Sequence, residues 1–226
     1  MDLIETLRTT GAVRDFRPDD VTDEVVFRIL DNARFAPSGG NRQGWRVVVV
    51  KDAATRQALR DLYLPTWYEY LAQRVVGLTP WAPVTDRVAE ASAIERADEM
   101  RGGDGFAEHL DEVPVLLVVL ADLRALAAVD RDLPRYTFAG GASVYPFVWS
   151  VLLAAREEGL GGVITTMAIG RESDVKSLLD VPDELAVAAV IALGHPVHQP
   201  RKLTRADVGS FATVDRFTGP SFPAGG

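Results

Sequence analysis

The chain of 226 residues contains no cysteine and only three histidines. Disulfides, zinc ribbons, iron–sulfur clusters and thiol catalysis are thereby excluded, and the absence suits a reducing compartment such as the cytoplasm. Basic runs are missing too. Lys and Arg number 24 against 32 Asp and Glu, a formal net charge of −8, so no nucleic-acid partner is expected. The longest apolar stretches, near 113–121 and 185–193, are too short to span a bilayer, and no membrane association is expected. The opening MDLIETLRTT has an acid at position 2 and no apolar core, unlike a targeting peptide. No G-x-G-x-x-G follows the first strand-like segment and no P-loop occurs, which removes two common nucleotide cradles.

What remains is 47% hydrophobic and suits a single domain over residues 1–226. Residues 2–9 read as a short helix. In VTDEVVFRILDNARFAP, Thr22 stands as a cap, and Val25, Val26, Ile29, Leu30 and Ala33 form one apolar stripe. WRVVVV (45–50) is a strand, and Asp52 is placed to cap a helix over about 53–62. Segments 113–122 and 185–194 read as buried strands and 161–167 as a shorter one, with helices near 140–158 and 171–180. Residues 64–112 mix prolines with Trp67, Tyr68, Tyr70 and Trp81, then a charged helical stretch and RGGDG; they read as a lid or substrate insertion. Residues 195–226 carry no core of their own and read as an extended arm lying on something else.

Side chains able to carry chemistry are few. APSGGNRQGW (36–45) is too long for a plain turn; it either satisfies its own backbone or offers N–H groups to a flat polar ligand. His195 and His198 lack a third ligand, so no metal is expected. Glu90, Glu95, Asp98 and Glu99 read as the solvated face of a helix. The aromatics of 67–81 suit either packing or a substrate wall. Two basic clusters stand at opposite ends of the chain: Arg8 with Arg14, and Arg201, Lys202 and Arg205. Such clusters can hold a phosphate.

Taken in order, these pieces resemble the nitroreductase-like family of FMN-dependent oxidoreductases. AVRDFRPDDVTDEVVFRILDNARFAPSGGNRQGWRVVVVKD resembles its R-x-F, A-P-S-x-x-N-x-Q-P-W and strand pattern. AGGASVYPFVWSVLLAAREEGLGGVITT resembles its long helix and Gly-Leu-Gly exit, and LAVAAVIALGHP with PRKLTRADVGSF its last strand and basic tail. The resemblance implies an α+β fold, a mixed sheet flanked by helices, and a homodimer with FMN at the interface and the arm wrapping the partner. It implies that Pro37, Ser38, Gly39 and Asn41 line the flavin, with Gln43 and Trp45 locking their loop into the sheet. Ile164, Thr165 and Thr166 would lie near flavin N5, Lys202 and Arg205 would hold the phosphate, and Arg14 would stabilise the reduced flavin. Trp67, Tyr70 and Trp81 would line the substrate. NADH or NADPH would give hydride to N5 and leave before a small electron-poor acceptor, a nitroaromatic or quinone, takes the electrons. No catalytic acid or base is obligatory. The sequence departs from the family's R-[RH]-S-x-[RK] opening, reading Thr10–Gly11–Ala12–Val13–Arg14, so Arg8 would substitute for a missing Arg; Gly44 stands where the family has Pro. The same fold admits reductive dehalogenation, flavin fragmentation, desaturation, a flavin-sequestering protein or a scaffold without flavin.

Overall fold

Four apolar segments become the strands of one sheet: β1 (Trp45–Val49), β2 (Val115–Asp122), β3 (Gly161–Thr165) and β4 (Leu185–Gly194). The computed structural model describes residues 2–222. The strand order is β1-β2-β4-β3, and every neighbouring pair runs antiparallel. Parallel pairing enters the expected mixed sheet at one bridge, Ala12 to Gly162, where the Val13 N–H donates to the Gly162 carbonyl at 2.9 Å. A side chain at Gly162 would come within 2.7 Å of the Ala192 carbonyl, so only glycine fits between these strands.

The two central strands lack polar alternation because both faces are covered. All eight residues of β2 are buried. Val115, Leu117, Val119 and Ala121 point to one core; Leu116, Val118 and Leu120 point to the other, as the period of two requires. The first core is closed by α2 (Asp23–Ala33) and α5 (Tyr145–Glu157). All five residues of the α2 stripe pack there. Thr22 occupies the cap position of α2, but its hydroxyl makes no capping bond. Gly159, left-handed at φ 77°, marks the exit of α5.

The second core lies under α3 (Ala53–Val75) and α6 (Glu172–Leu178). Asp52 caps α3 as expected, accepting from the Thr55 N–H at 2.8 Å. The helix does not stop near 62, however. It runs on through Pro65 to residue 75. Proline removes the hydrogen bond to the residue 61 carbonyl, but Leu59, Tyr63, Thr66, Tyr68 and Ala72 are buried on either side of it. Burial of that face outweighs one lost bond. The charged stretch that follows gives α4 (Arg87–Ile94). Here the solvated-face reading fails at Glu90, which is 7% exposed and accepts from Arg87 at 2.5 Å; Glu95, Asp98 and Glu99 are exposed. A short N-terminal helix, α1 (Leu3–Thr9), completes the set. No helix among the described residues is long and apolar enough to cross a membrane.

Candidate functional site

The 36–45 loop is both self-satisfied and open. Ser38 Oγ accepts from the Gln43 N–H at 3.0 Å, and Gln43 Nε2 donates to Asn41 Oδ1 at 3.1 Å. The Gly39 N–H donates to Ser143 Oγ, just before α5, at 3.0 Å. Gly40, Asn41 and Gln43 have φ of 61°, 52° and 49°, left-handed positions, interrupted by right-handed Arg42, that suit Gly and Asn best. The exit is fixed by Trp45, buried and stacked on Phe147 with centroids 4.9 Å apart. Gly44 is fixed as well: a Cβ there would stand 2.9 Å from the Ala125 Cβ. Gln43 thus braces the loop internally, while Trp45 ties it to the sheet. Pro37, Gly39 and Asn41 remain exposed and Ser38 half-buried.

The segments that carry the two basic clusters, separated by nearly the whole chain, are folded side by side. The Arg17 N–H donates to the His195 carbonyl at 2.8 Å, and the Val197 N–H to the Asp15 carbonyl at 3.1 Å. Gln199 Nε2 then reaches the Thr9 carbonyl at 3.1 Å. Gly11 admits the tail closely, since a Cβ there would lie 2.8 Å from Leu203 Cδ2 and 3.2 Å from Pro200 Cγ. Arg8, Arg14, Lys202 and Arg205 are all exposed. Among the described residues none of the four pairs with a carboxylate; Arg205 donates only to the Thr204 carbonyl, at 2.7 Å. Elsewhere the surplus of acid is used freely, as in Arg28–Glu158, Arg60–Asp111 and Arg96–Glu99. Cations left without such partners in an acidic protein favour anions nearby. No cluster of three or more His, Asp or Glu is arranged to hold a metal among the described residues.

At the end of β3, Ile164 packs into the first core and Thr166 is exposed. Thr165 faces the other way, its Oγ1 2.9 Å from the hydroxyl of Tyr63. Sequence reasoning missed Tyr63 because it ended the helix before it; continuing the core face of α3 past Leu59 by one turn would have found it. Further along α3, Trp67 stacks on Tyr70 at 5.3 Å, and Trp81 folds back onto Tyr70 at 6.4 Å. The fold-back is fastened by the Trp81 N–H donating to Oε1 of the fully buried Gln73 at 3.0 Å. The three rings are half-buried, packed on each other with surface left over. A cleft of about 460 Å³ opens between the Arg14–Pro18 strip and residues 104–114. On its wall His109 sits between Asp104 and Glu112, which hold its imidazole protonated and push its pKa up to about 9.

One chain does not bring all these pieces to one place. The 37–43 loop leads into β1 and residues 164–166 end β3, and these strands are the opposite edges of the sheet. Three interstrand steps of roughly 4.8 Å separate them. The sequence as a whole decides the kinship: the nitroreductase family model matches residues 7–195. The chain belongs to the nitroreductase family. It is 29% identical over 189 residues to the NADH dehydrogenase of Thermus thermophilus, covering 83% of both chains. It is 30% identical over 188 residues to the 5,6-dimethylbenzimidazole synthase of Rhodospirillum rubrum, covering 81% of this chain and 77% of the relative. Among solved structures, an oxidized iodotyrosine deiodinase bound to FMN and 3-iodo-L-tyrosine superimposes with a TM-score of 0.64 at 27% identity, over 92% of this chain and 96% of that one. Nitroreductase-family members thus span several reactions on one fold, and this chain's own residues must be asked which it favours.

Proposed function

We propose that the chain is an FMN-dependent oxidoreductase, taking electrons from NADH or NADPH and passing them to a small electron-poor acceptor such as a nitroaromatic or quinone. Family membership supports flavin oxidoreductase chemistry in general. The observation that carries the reading to this chain is the corner where Arg8, Arg14, Lys202 and Arg205 stand without carboxylate partners. Its donor set fits a phosphate monoester: two chain ends supply guanidinium and ammonium groups around a glycine that leaves the tail room to approach. Arg8 compensates there for the Arg and Ser absent at positions 10–12. Bound FMN supplies hydride transfer at N5. Arg14 would then balance negative charge on the ring, Ile164 to Thr166 would edge it, and the rings of Trp67, Tyr70 and Trp81 would wall the acceptor.

Because the Pro37–Asn41 loop and the β3 end lie at opposite sheet edges, the reading requires two chains per site, the loop of one facing the β3 end of the other. Exposed apolar side chains suit such a homodimer: Leu3, Ile4 and Leu7 on α1, Trp149 on α5, and Phe211 and Phe217 in the tail. A cytoplasmic location accords with the lack of cysteine. The deciding experiment is the visible spectrum of the protein under anaerobic NADH or NADPH. A yellow protein that bleaches with one of them and recolours with a nitroaromatic or quinone bears the proposal out. A protein that takes up no FMN refutes it. Yellow protein that neither nucleotide bleaches would favour the second reading, other flavin chemistry on the same fold. The likeness to the deiodinase at 27% identity and to the 5,6-dimethylbenzimidazole synthase at 30% gives that reading its support.

A further inference from the structure

Helix α3 grips the end of β3 and the segment that follows it at two places one turn apart. The Tyr63 hydroxyl lies 2.9 Å from Thr165 Oγ1. Three residues on, along the same face, Thr66 presses against Gly170, where a Cβ would come within 2.3 Å of the Thr66 hydroxyl. Tyr63 is 2% exposed and belongs to the second core, so it has little freedom to follow Thr165 if the strand moves. Thr165 is therefore drawn inward. Beyond Thr165 the chain leaves the extended conformation, Thr166 having φ −120° and ψ 5°, and Thr166 is exposed. The geometry points to Tyr63 as a positioning residue for the flavin edge: by holding the Thr165 hydroxyl in the core, it orients the Thr165–Thr166 peptide toward the ring. Burial pushes the Tyr63 phenol pKa up, so it keeps its proton across the working range. The inference rests on the flavin reading above.

Its test is a double-mutant cycle of Tyr63→Phe and Thr165→Val, both of which keep shape and delete one hydroxyl. The protein is loaded with FMN labelled with nitrogen-15, and the N5 shift, the FMN Kd and thermal unfolding are read together. Each single variant should move the N5 resonance and raise the Kd about two- to tenfold, the scale of one hydrogen bond. The double variant should go no further than either single one, because both delete the same bond. Wild-type protein that binds no FMN overturns the flavin reading and this inference with it. If wild type binds FMN, an N5 shift unmoved in Tyr63→Phe overturns the inference alone, even where unfolding shifts; so do effects that simply add in the double variant.

Discussion

Arg205→Ala probes the phosphate corner with the least collateral damage. Arg205 is exposed and, among the described residues, hydrogen-bonds only to the adjacent Thr204 carbonyl, so its loss should change stability by no more than about 0.5 kcal/mol. Binding is another matter. A hydrogen bond to a charged group contributes about 1.5–3 kcal/mol, and solvent screening at an exposed site reduces this to about 1–2 kcal/mol. That corresponds to a rise of about five- to thirtyfold in the FMN Kd. The assay is quenching of flavin fluorescence, run in parallel with FMN and with riboflavin, which lacks the phosphate. Arg205→Ala should weaken FMN binding and leave riboflavin unaffected, and the difference should shrink with salt. Equal losses for both ligands, or an unchanged FMN Kd, would refute the phosphate role.

Trp45→Ala should cost about 3–5 kcal/mol in urea denaturation, because it empties a buried ring site stacked on Phe147; a cost below 1 kcal/mol would mean the loop is not anchored there. Gly44→Ala forces a methyl to 2.9 Å from Ala125, so calorimetry should register a loss of about 1–3 kcal/mol. The His109 pKa, raised from 6.5 to about 9, implies stabilisation that is complete below the unfolded value and lost as pH climbs through 9. His109→Gln should flatten the fall in stability between those values, whereas an unchanged slope would contradict the ion-pair clamp. Asp122, held down at about 2 by Arg124, has the opposite sign: its contribution is present above about 4 and disappears as pH falls through 2, which Asp122→Asn should abolish.

The parts of the fold legible in the sequence were those whose burial leaves a local period. Strand β2 has seven apolar residues before Asp122, and α2 repeats its apolar side chains every three to four, so each declared its type. Helix α3 did not. Pro65 looks like a stop from within the sequence, and only the buried residues on both sides of it explain why the helix continues. Glu90 was misread for a related reason: charge indicates a preference for water, but Arg87, one turn away and itself half exposed, reaches in to pair with one of its oxygens. Of the candidate site, the two basic clusters were visible only as separate features. What makes them one corner is Gly11 lying against Leu203, a contact across 192 positions that no local pattern encodes.

The proposed division of the site between sheet edges accords with a reaction that needs no catalytic dyad. A reaction carried by a cofactor asks the protein for placement and charge rather than for a proton donor in reach of a nucleophile. Placement is what this chain has invested in: a left-handed loop pinned by Trp45, a strand end pinned by Tyr63, and four cations freed from the acid around them. The aromatic row on α3 belongs to the same device, because Tyr63 and Trp67 lie one turn apart on one helix. Under the proposed function, an acceptor against Trp67 and Tyr70 would press on the same helix that holds Thr165.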